Sequence, residues 1–233
     1  MSASAPTARG WPRAVLFDLD GTLIDSAPDI AAAVNELLAR SGRGPLTLAA
    51  VTSMIGNGVE KLVERAIAAT GDPLGPQALE HEQAVMLDIY AKHLTGLTTL
   101  MPGVRAALDA LHGNGILLGL VTNKQQRFIE TVLDHFGLSS LFGAVIGGGP
   151  GIVKKPAPDM LLAAMAQLGA GPQDAVMVGD STSDVQAALA AGIPSILVRG
   201  GYTSVPAEQL GADAIIDDMT GLVGALERLE PRG

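Results

Sequence analysis

The sequence predicts an α/β fold in which a doubly wound, mostly parallel sheet carries a small inserted helical cap. Three observations support this prediction. From residue 101 onward, short apolar runs of strand length alternate with helical patterns, which is typical of parallel strands covered by helices on both faces. One further apolar run lies much earlier, at 14–17. Between the two regions only helical periodicity is found, which indicates a separate helical unit.

The first strand is the apolar run 14–17, which contains only Ala, Val, Leu and Phe. Behind it, Ser26 and Asp29 resemble a capping box and predict the start of a helix that continues to residue 40. Three more helical patterns follow, at 47–55, 59–70 and 77–94. No strand pattern interrupts this block, so we expect a cap made of about four helices.

The remaining chain supplies the rest of the predicted core. Strands are predicted at 116–121, 144–146, 175–178, 195–198 and 214–216, and helices at 104–112, 125–136, 158–168, 182–191 and 222–229. We therefore expect three parts: a disordered tail at 1–12, a catalytic core at 13–25 and 100–230, and a helical cap at 26–99.

Composition excludes several classes of function. The formal net charge of −9 disfavours nucleic acid as a partner, because proteins that bind the phosphate backbone carry basic patches. The absence of cysteine excludes disulfides, thiolate nucleophiles and cysteine zinc sites. No apolar run approaches the roughly 20 residues needed to cross a bilayer. We expect a cytoplasmic protein without a membrane partner.

Polar side chains follow the predicted strands at the edge where their carboxyl ends meet. Asp18 and Asp20 come directly after the first strand, and because alternate residues of an extended chain point the same way, both face one spot. Thr122 and Asn123 follow the next strand of the core. Ligands bind at this edge in open parallel sheets, so the edge is the candidate site.

Two further strands send charged residues to the same edge. Asp180 and Asp184 follow one of them, and Lys155 follows the other, directly before Pro156. The four carboxylates against one ammonium leave three net negative charges, which one Mg²⁺ ion and one proton would neutralise. Mg²⁺ prefers carboxylate and carbonyl oxygens and commonly works with substrate phosphates. The set therefore indicates phosphate chemistry on a small phosphorylated metabolite.

In this order, the motifs resemble the haloacid dehalogenase superfamily: Asp18-Leu19-Asp20-Gly21-Thr22, then Thr122, then Lys155-Pro156, then Gly179-Asp180 with Asp184. The resemblance implies a Rossmann-like core in which Asp18 is the nucleophile and forms an aspartyl-phosphate. It also implies that Asp20 is the general acid and base.

The resemblance further implies the ligand contacts. Thr122, the backbone at Asn123, and Lys155 would hold the phosphoryl group. Mg²⁺ would rest on the Asp18 carboxylate, the Asp20 backbone carbonyl and Asp180, with Asp184 bound directly or through water. The second acid, Asp20, favours a phosphatase over a dehalogenase, because dehalogenases of the superfamily lack it.

Within the superfamily, the chain resembles the phosphoglycolate phosphatases. The matching stretches are 18–26, 55–58, 119–124 and 145–148, whereas the loop 149–153 departs from the pattern by lacking polar or acidic residues before the lysines. The resemblance implies that Gly56, Asn57 and Gly58 form a cap loop that reaches the substrate. An ordinary turn between helices, with Asn and Gly supplying left-handed geometry, explains the same residues.

Other functions stay open on the sequence alone. A sugar-phosphate phosphatase or mutase, a nucleotidase and a pyrophosphatase share these core motifs, and only the cap would separate them. A signalling receiver module also gathers acids, a Thr and a Lys around a phosphorylated Asp, but it needs neither Asp20 nor a cap. A non-catalytic phosphate-binding protein on this fold is a further alternative.

Overall fold

A computed structural model describes residues 10–203 and 205–229. Its strands are β1 Ala14–Phe17, β2 Ile24–Asp25, β3 Thr99–Leu100, β4 Leu117–Gln125, β5 Phe142–Gly148, β6 Ala175–Gly179, β7 Ser195–Val198 and β8 Ala214–Ile216. Its α-helices are α1 Ala27–Arg40, α2 Leu48–Thr52, α3 Val59–Ala69, α4 Pro76–Tyr90, α5 Val104–Gly113, α6 Gln126–His135, α7 Asp159–Leu168, α8 Thr182–Ala191 and α9 Leu222–Arg228.

The predicted parallel sheet is confirmed. Within the described residues it has six strands in the order β5-β4-β1-β6-β7-β8, and every neighbouring pair is parallel. The chain builds outward from β1 in one direction through β4 and β5, and then in the other through β6. The carboxyl ends of β1 and β6 therefore flank the point where strand order reverses, where open α/β sheets bind their ligands.

Helices cover both faces of the sheet, which explains why its central strands read as continuous apolar runs. All four residues of β1 have no exposed surface. Val15 and Phe17 belong to the larger apolar cluster, which also includes residues of α5, α6 and α9. Ala14 and Leu16 belong to a second cluster on the other face, together with residues of α7 and α8. Burial on both faces fixes the position of β1 and of the residues that follow it.

Helices α1 to α4 pack against one another between the first and second core strands. The chain leaves and re-enters the core through a two-stranded antiparallel ribbon of β2 and β3, which the sequence pattern does not show. Strands of two residues are too short to carry a recognisable period. The division into a core at 13–25 and 100–230 and a cap at 26–99 stays a prediction.

The expected capping box at the start of α1 is wrong. Ser26 makes no side-chain cap, and its hydroxyl instead donates to Asp20 at 2.6 Å. Asp29 is buried, and its side chain bonds to the segment that follows α4 in the sequence. Its carboxylate accepts the backbone amides of Leu97 and Thr98 and the Thr98 hydroxyl, at 2.7–3.0 Å. Ser26 and Asp29 thus bond to residues outside the first turn of α1, although their sequence pattern suggests helix capping.

Three other boundaries differ from the sequence expectations. Helices α2 and α4 are shorter than the patterns at 47–55 and 77–94, whereas β4 extends to Gln125 because Gln125 still pairs with Gly148 of β5. Trp11, expected in the tail, donates from its ring nitrogen to the Gln173 carbonyl at 3.0 Å. Residues 1–9 of the expected tail and residue 230 of the expected core lie outside the described residues. None of the described helices has both the length and the apolar character to span a bilayer.

Replacing Asp29 with Ala should lower the free energy of unfolding by about 2–4 kcal/mol, because three donors lose a charged acceptor. Urea denaturation would measure the change. Asp109, on α5 and with a 54% exposed side chain, provides the matched control, and D109A should stay within about 0.5 kcal/mol of the parent. Equal stability of D29A and D109A would contradict this role for Asp29.

Candidate active site

Asp18 is the first residue after β1, at the carboxyl edge of the sheet. Its backbone amide still bonds the Val178 carbonyl at 3.0 Å, so the pairing of β1 with β6 sets its position. The side chain is almost buried and lines a cavity between the sheet edge and the helical block. Burial raises the pKa of Asp18 to about 6, with Lys155 opposing this shift and Asp184 adding to it.

The ammonium group of Lys155 connects the end of β1, the start of α8 and the backbone of β4. Its Nζ atom donates to Asp18 Oδ1 at 2.8 Å, to Asp184 Oδ1 at 2.7 Å and to the Val121 carbonyl at 2.7 Å. These contacts use all three donors of the ammonium. Burial disfavours its charged form, but the neighbouring Asp18 and Asp184 outweigh this effect and raise the pKa of Lys155. The lysine is therefore charged at neutral pH.

The side chain of Asn123 holds the Lys155 backbone in place. Its Oδ1 atom accepts the Lys155 amide and its Nδ2 atom donates to the Lys155 carbonyl, both at 3.0 Å. The same Nδ2 atom donates to the Gly56 carbonyl of the cap loop at 2.9 Å. Both amide hydrogens of the side chain are thus used, which leaves the backbone of Asn123 as its expected donor to a phosphate.

Asp180 completes a group of three carboxylates with Asp18 and Asp184. One ligand oxygen from each lies within 4.8 Å of the others. Asp180 accepts the Thr22 hydroxyl at 3.0 Å and the Tyr202 amide at 2.6 Å. Burial, followed by repulsion from the other two carboxylates, raises the pKa of Asp180 well above its usual range.

Gly21 and Thr22 of the first motif are explained by Asp180. Gly21 has a φ of +91°, and a Cβ atom there would lie 2.6 Å from Asp180 Oδ2. Thr22 is fully buried and supplies one of the hydrogen bonds to that carboxylate. The sequence after Asp20 therefore needs a glycine for the close approach and a hydroxyl for the Asp180 oxygen.

Asp184 has two roles in the structure. It lies in the first turn of α8, where its Oδ2 atom accepts the Ser181 amide at 3.1 Å and the Ser181 hydroxyl at 2.5 Å. Its Oδ1 atom accepts from Lys155. Asp184 is thus both an acid at the start of a helix and a member of the carboxylate group.

Asp20 lies in a different electrostatic setting, beside a second lysine. Its carboxylate accepts from Lys124 Nζ at 2.9 and 3.2 Å and from the Ser26 hydroxyl at 2.6 Å. Lys124 is buried and also donates to the Tyr90 hydroxyl at 2.5 Å. Lys124 has no role in the expectations from sequence, and the count of three net negative charges at the edge does not include this lysine. The only sequence signal for Lys124 is its place directly after Thr122 and Asn123 at the strand end.

The cap loop contributes backbone to the cavity. Gly56 and Gly58 line it together with Asp18, Asp20 and Thr122. Both glycines have positive φ, 111° and 85°, so they also satisfy the geometry of a tight turn. Asn57 is exposed, does not line the cavity, and accepts from Arg65 at 2.8 Å. The structure thus brings two of the three expected loop residues to the site.

The family of the chain follows from comparison with known proteins. Residues 15–198 match the model of the haloacid dehalogenase-like hydrolases, which is most of the chain. The chain belongs to this family. Phosphoglycolate phosphatase of Pseudomonas putida is 43% identical over 219 residues, covering 91% of this chain and 79% of that protein. Phosphoglycolate phosphatase 1 of Pseudomonas aeruginosa is 40% identical over 227 residues, covering 96% and 83%.

The solved structures agree with the family. The crystal structure of a predicted phosphoglycolate phosphatase from Haemophilus somnus superposes with a TM-score of 0.86 at 30% identity, covering 91% of this chain and 97% of that one. The haloacid dehalogenase-like core described above, with its parallel sheet and helical block, is therefore shared with this structure. The motif residues lie at the sheet edge that both the sequence and the topology indicated.

The carboxylate group of this haloacid dehalogenase-like hydrolase fits a divalent cation. Asp18, Asp180 and Asp184 against Lys155 leave two net negative charges, because Lys124 balances Asp20. The donors are all carboxylate oxygens, which hard divalent ions prefer. Burial, and after it repulsion from Asp184 and Asp18, raises the pKa of Asp180, and a bound cation would favour its charged form.

Binding of a divalent ion should weaken as the pH falls through about 6. A proton on Asp18 competes with the ion, and that carboxyl has a pKa raised to about 6 in the ion-free protein. Isothermal titration with Mg²⁺ should therefore show an affinity roughly tenfold lower at pH 5 than at pH 7. D180N should bind Mg²⁺ weakly at both pH values. An affinity that does not change between pH 5 and pH 7 would contradict this linkage.

Proposed function

We propose that this protein is a Mg²⁺-dependent phosphoglycolate phosphatase that works through an aspartyl-phosphate on Asp18. One observation carries the proposal: the Asp18 carboxylate opens to a cavity while Lys155, Asp180 and Asp184 surround it. The curated relatives named above, at about 40% identity over most of the chain, support the substrate. A small phosphorylated metabolite stays the predicted substrate class, and the cytoplasm stays the predicted location.

The first half of the reaction transfers the phosphoryl group to the protein. An Asp18 oxygen forms a bond to phosphorus while the bond from phosphorus to the ester oxygen breaks. The ester oxygen takes a proton from the Asp20 carboxyl and leaves as an alcohol. Asp20 suits this role because it follows Asp18 by two residues and lines the same cavity.

The second half returns the protein to its starting state. Asp20, now a carboxylate, takes a proton from a water molecule while the oxygen of that water attacks phosphorus. The bond between phosphorus and the Asp18 oxygen breaks, and inorganic phosphate leaves. Lys124 acts here as a positioning residue, because its two contacts to Asp20 fix the direction of that carboxylate.

The phosphoryl oxygens would be held by groups from two strand ends. Thr122 is buried beside the cavity, and its oxygen already accepts the Lys124 backbone amide at 3.2 Å, so its hydrogen is available to a phosphoryl oxygen. Lys155 supplies a fixed positive charge next to Asp18. The backbone at Asn123 is the third proposed contact. Together they place donors where negative charge develops.

Mg²⁺ is the proposed ion, held by Asp18, the Asp20 backbone carbonyl, Asp180 and Asp184. It would neutralise charge on the phosphoryl group during transfer. The carboxylates are held by hydrogen bonds from Thr22, Ser181 and the Tyr202 amide, which orient them before any ion binds.

Asp20 beside the cavity separates this proposal from a signalling receiver. A receiver has to keep its aspartyl-phosphate, whereas a carboxylate able to activate water removes it. The non-catalytic alternative leaves the buried pair of Asp20 and Lys124 without a use, although burying such a pair is costly.

Replacing Asp20 with Asn should allow an aspartyl-phosphate to accumulate, because an amide cannot activate water for the second half of the reaction. Intact-protein mass spectrometry after mixing with p-nitrophenyl phosphate and Mg²⁺ would detect the added phosphoryl group, because the leaving group of that ester departs without a proton from Asp20. The double variant D18N/D20N should gain no mass, since it lacks the nucleophile. Equal labelling of both variants would place the phosphoryl group elsewhere and contradict the role of Asp18.

The substrate is tested by initial rates on a panel of 2-phosphoglycolate, glucose 6-phosphate, AMP and pyrophosphate. We expect kcat/KM for 2-phosphoglycolate to exceed the others by at least tenfold, roughly the discrimination of one well-placed contact to a charged group. A clear preference for another member of the panel would reject phosphoglycolate and favour one of the sugar-phosphate, nucleotide or pyrophosphate alternatives.

A further inference from the structure

Tyr90, the last residue of α4, presents a hydroxyl group to the cavity above Asp18 and Asp20. The residue is 6% exposed and lines that cavity. Its ring packs edge-on against Phe128, with ring centroids 5.4 Å apart. Because the ring is held on one side by α6, the position of the hydroxyl is fixed relative to the core.

The hydrogen of this hydroxyl has no acceptor among the described residues. Lys124 Nζ lies 2.5 Å from the Tyr90 oxygen. An ammonium group can only donate, so the tyrosine oxygen must be the acceptor in this contact. The hydroxyl hydrogen is therefore free to bond something else. Burial raises the pKa of Tyr90, so the hydrogen is retained at neutral pH.

Lys124 links this free donor to the leaving-group side of the site. Its ammonium contacts Asp20, the proposed proton donor, and Tyr90 at the same time. The Tyr90 hydroxyl is therefore two hydrogen bonds away from the carboxylate that serves the ester oxygen. A polar atom a few bonds beyond the ester oxygen would lie within reach of it.

Much of the wall in this part of the cavity is apolar. Its walls include the apolar side chains of Ile30, Leu62, Met86 and Phe128. Lys124 is the one cationic side chain among the described residues that line the cavity. Hydrogen bonds in such apolar surroundings are strong, and an anionic group placed there without a donor would be costly.

We propose that the Tyr90 hydroxyl, held by Lys124, donates a hydrogen bond to a carboxylate on the leaving group of the substrate. Tyr90 thereby favours phosphomonoesters that carry a carboxylate on the leaving group. This inference rests on the proposed function and deepens it, since 2-phosphoglycolate has this arrangement. It assigns specificity to a side chain of the helical block rather than to the motifs of the core.

The test compares two phosphomonoesters that have the same ester linkage and differ in the terminal group of the leaving alcohol. Ethyl phosphate carries a methyl group where 2-phosphoglycolate carries its carboxylate. Tyr90→Phe removes only the hydroxyl and keeps the ring against Phe128. Asp88→Asn is the matched control, because Asp88 lies on the same helix and its side chain is 83% exposed. Values of kcat/KM are measured with Mg²⁺ for the parent and both variants.

Y90F should lower kcat/KM for 2-phosphoglycolate by roughly 10- to 100-fold and change that for ethyl phosphate by less than about threefold. D88N should match the parent on both substrates. Equal losses of Y90F on both substrates would overturn the inference, since Tyr90 would then act through Asp20 or the fold. No loss on either would overturn it as well.

The parent protein reports separately on the proposed function. A parent that prefers 2-phosphoglycolate over ethyl phosphate supports the substrate, whatever Y90F shows. A parent that hydrolyses both equally would reject the proposed substrate and the inference together. Equal losses in Y90F with a selective parent would reject the inference alone.

Discussion

The ammonium group of Lys155 is the contact on which the site depends. Three carboxylates are buried at the carboxyl edge of the sheet, and such a group is stable only with compensating charge. Lys155 reaches Asp18 after β1, Asp184 at the start of α8 and the Val121 carbonyl in β4. One side chain thus fixes three segments that are far apart in the sequence. What remains is a site two positive charges short, which suits a divalent ion.

Contacts between the helical block and the core extend this arrangement toward the substrate. The Asn123 amide that holds Lys155 also holds the Gly56 carbonyl, and Lys124 joins Asp20 to Tyr90. Lys154, beside Lys155, pairs with Glu60 of α3 at 2.6 Å. In each contact the core residue, which is Asn123, Lys124 or Lys154, is a proposed site residue or adjoins one in the sequence. In the proposed mechanism, recognition of the leaving group and orientation of the catalytic groups would be coupled through these neighbouring residues.

Much of the fold, and the meeting of charged residues at one edge of the sheet, could be predicted from the sequence. Apolar runs such as β1 signal strands buried on both faces, and parallel strands bring their carboxyl ends together, so Asp18, Asp180 and Lys155 could be expected at one edge. The two-residue strands of the ribbon carry no period. The contacts of Ser26 and Asp29 are tertiary and override a local capping pattern.

The contact between Lys124 and Tyr90 could not be predicted from the sequence. They lie 34 positions apart on different parts of the fold, and nothing in either local pattern predicts their contact. Lys124 pairs with Asp20 across an even longer separation, so the charge balance could only be counted from the structure. Motifs identify groups that react, whereas groups that select a substrate depend on packing between the helical block and the core.

A crystal structure of the protein with Mg²⁺ and beryllium trifluoride, which mimics a phosphoryl group on a carboxylate, would show whether Asp18 is the nucleophile. We expect beryllium bonded to an Asp18 oxygen, Lys155 Nζ bonded to a fluorine in place of Asp18 Oδ1, and Mg²⁺ on Asp18 and Asp180. Beryllium bonded to any other residue, or Mg²⁺ bound away from the three carboxylates, would contradict this expectation.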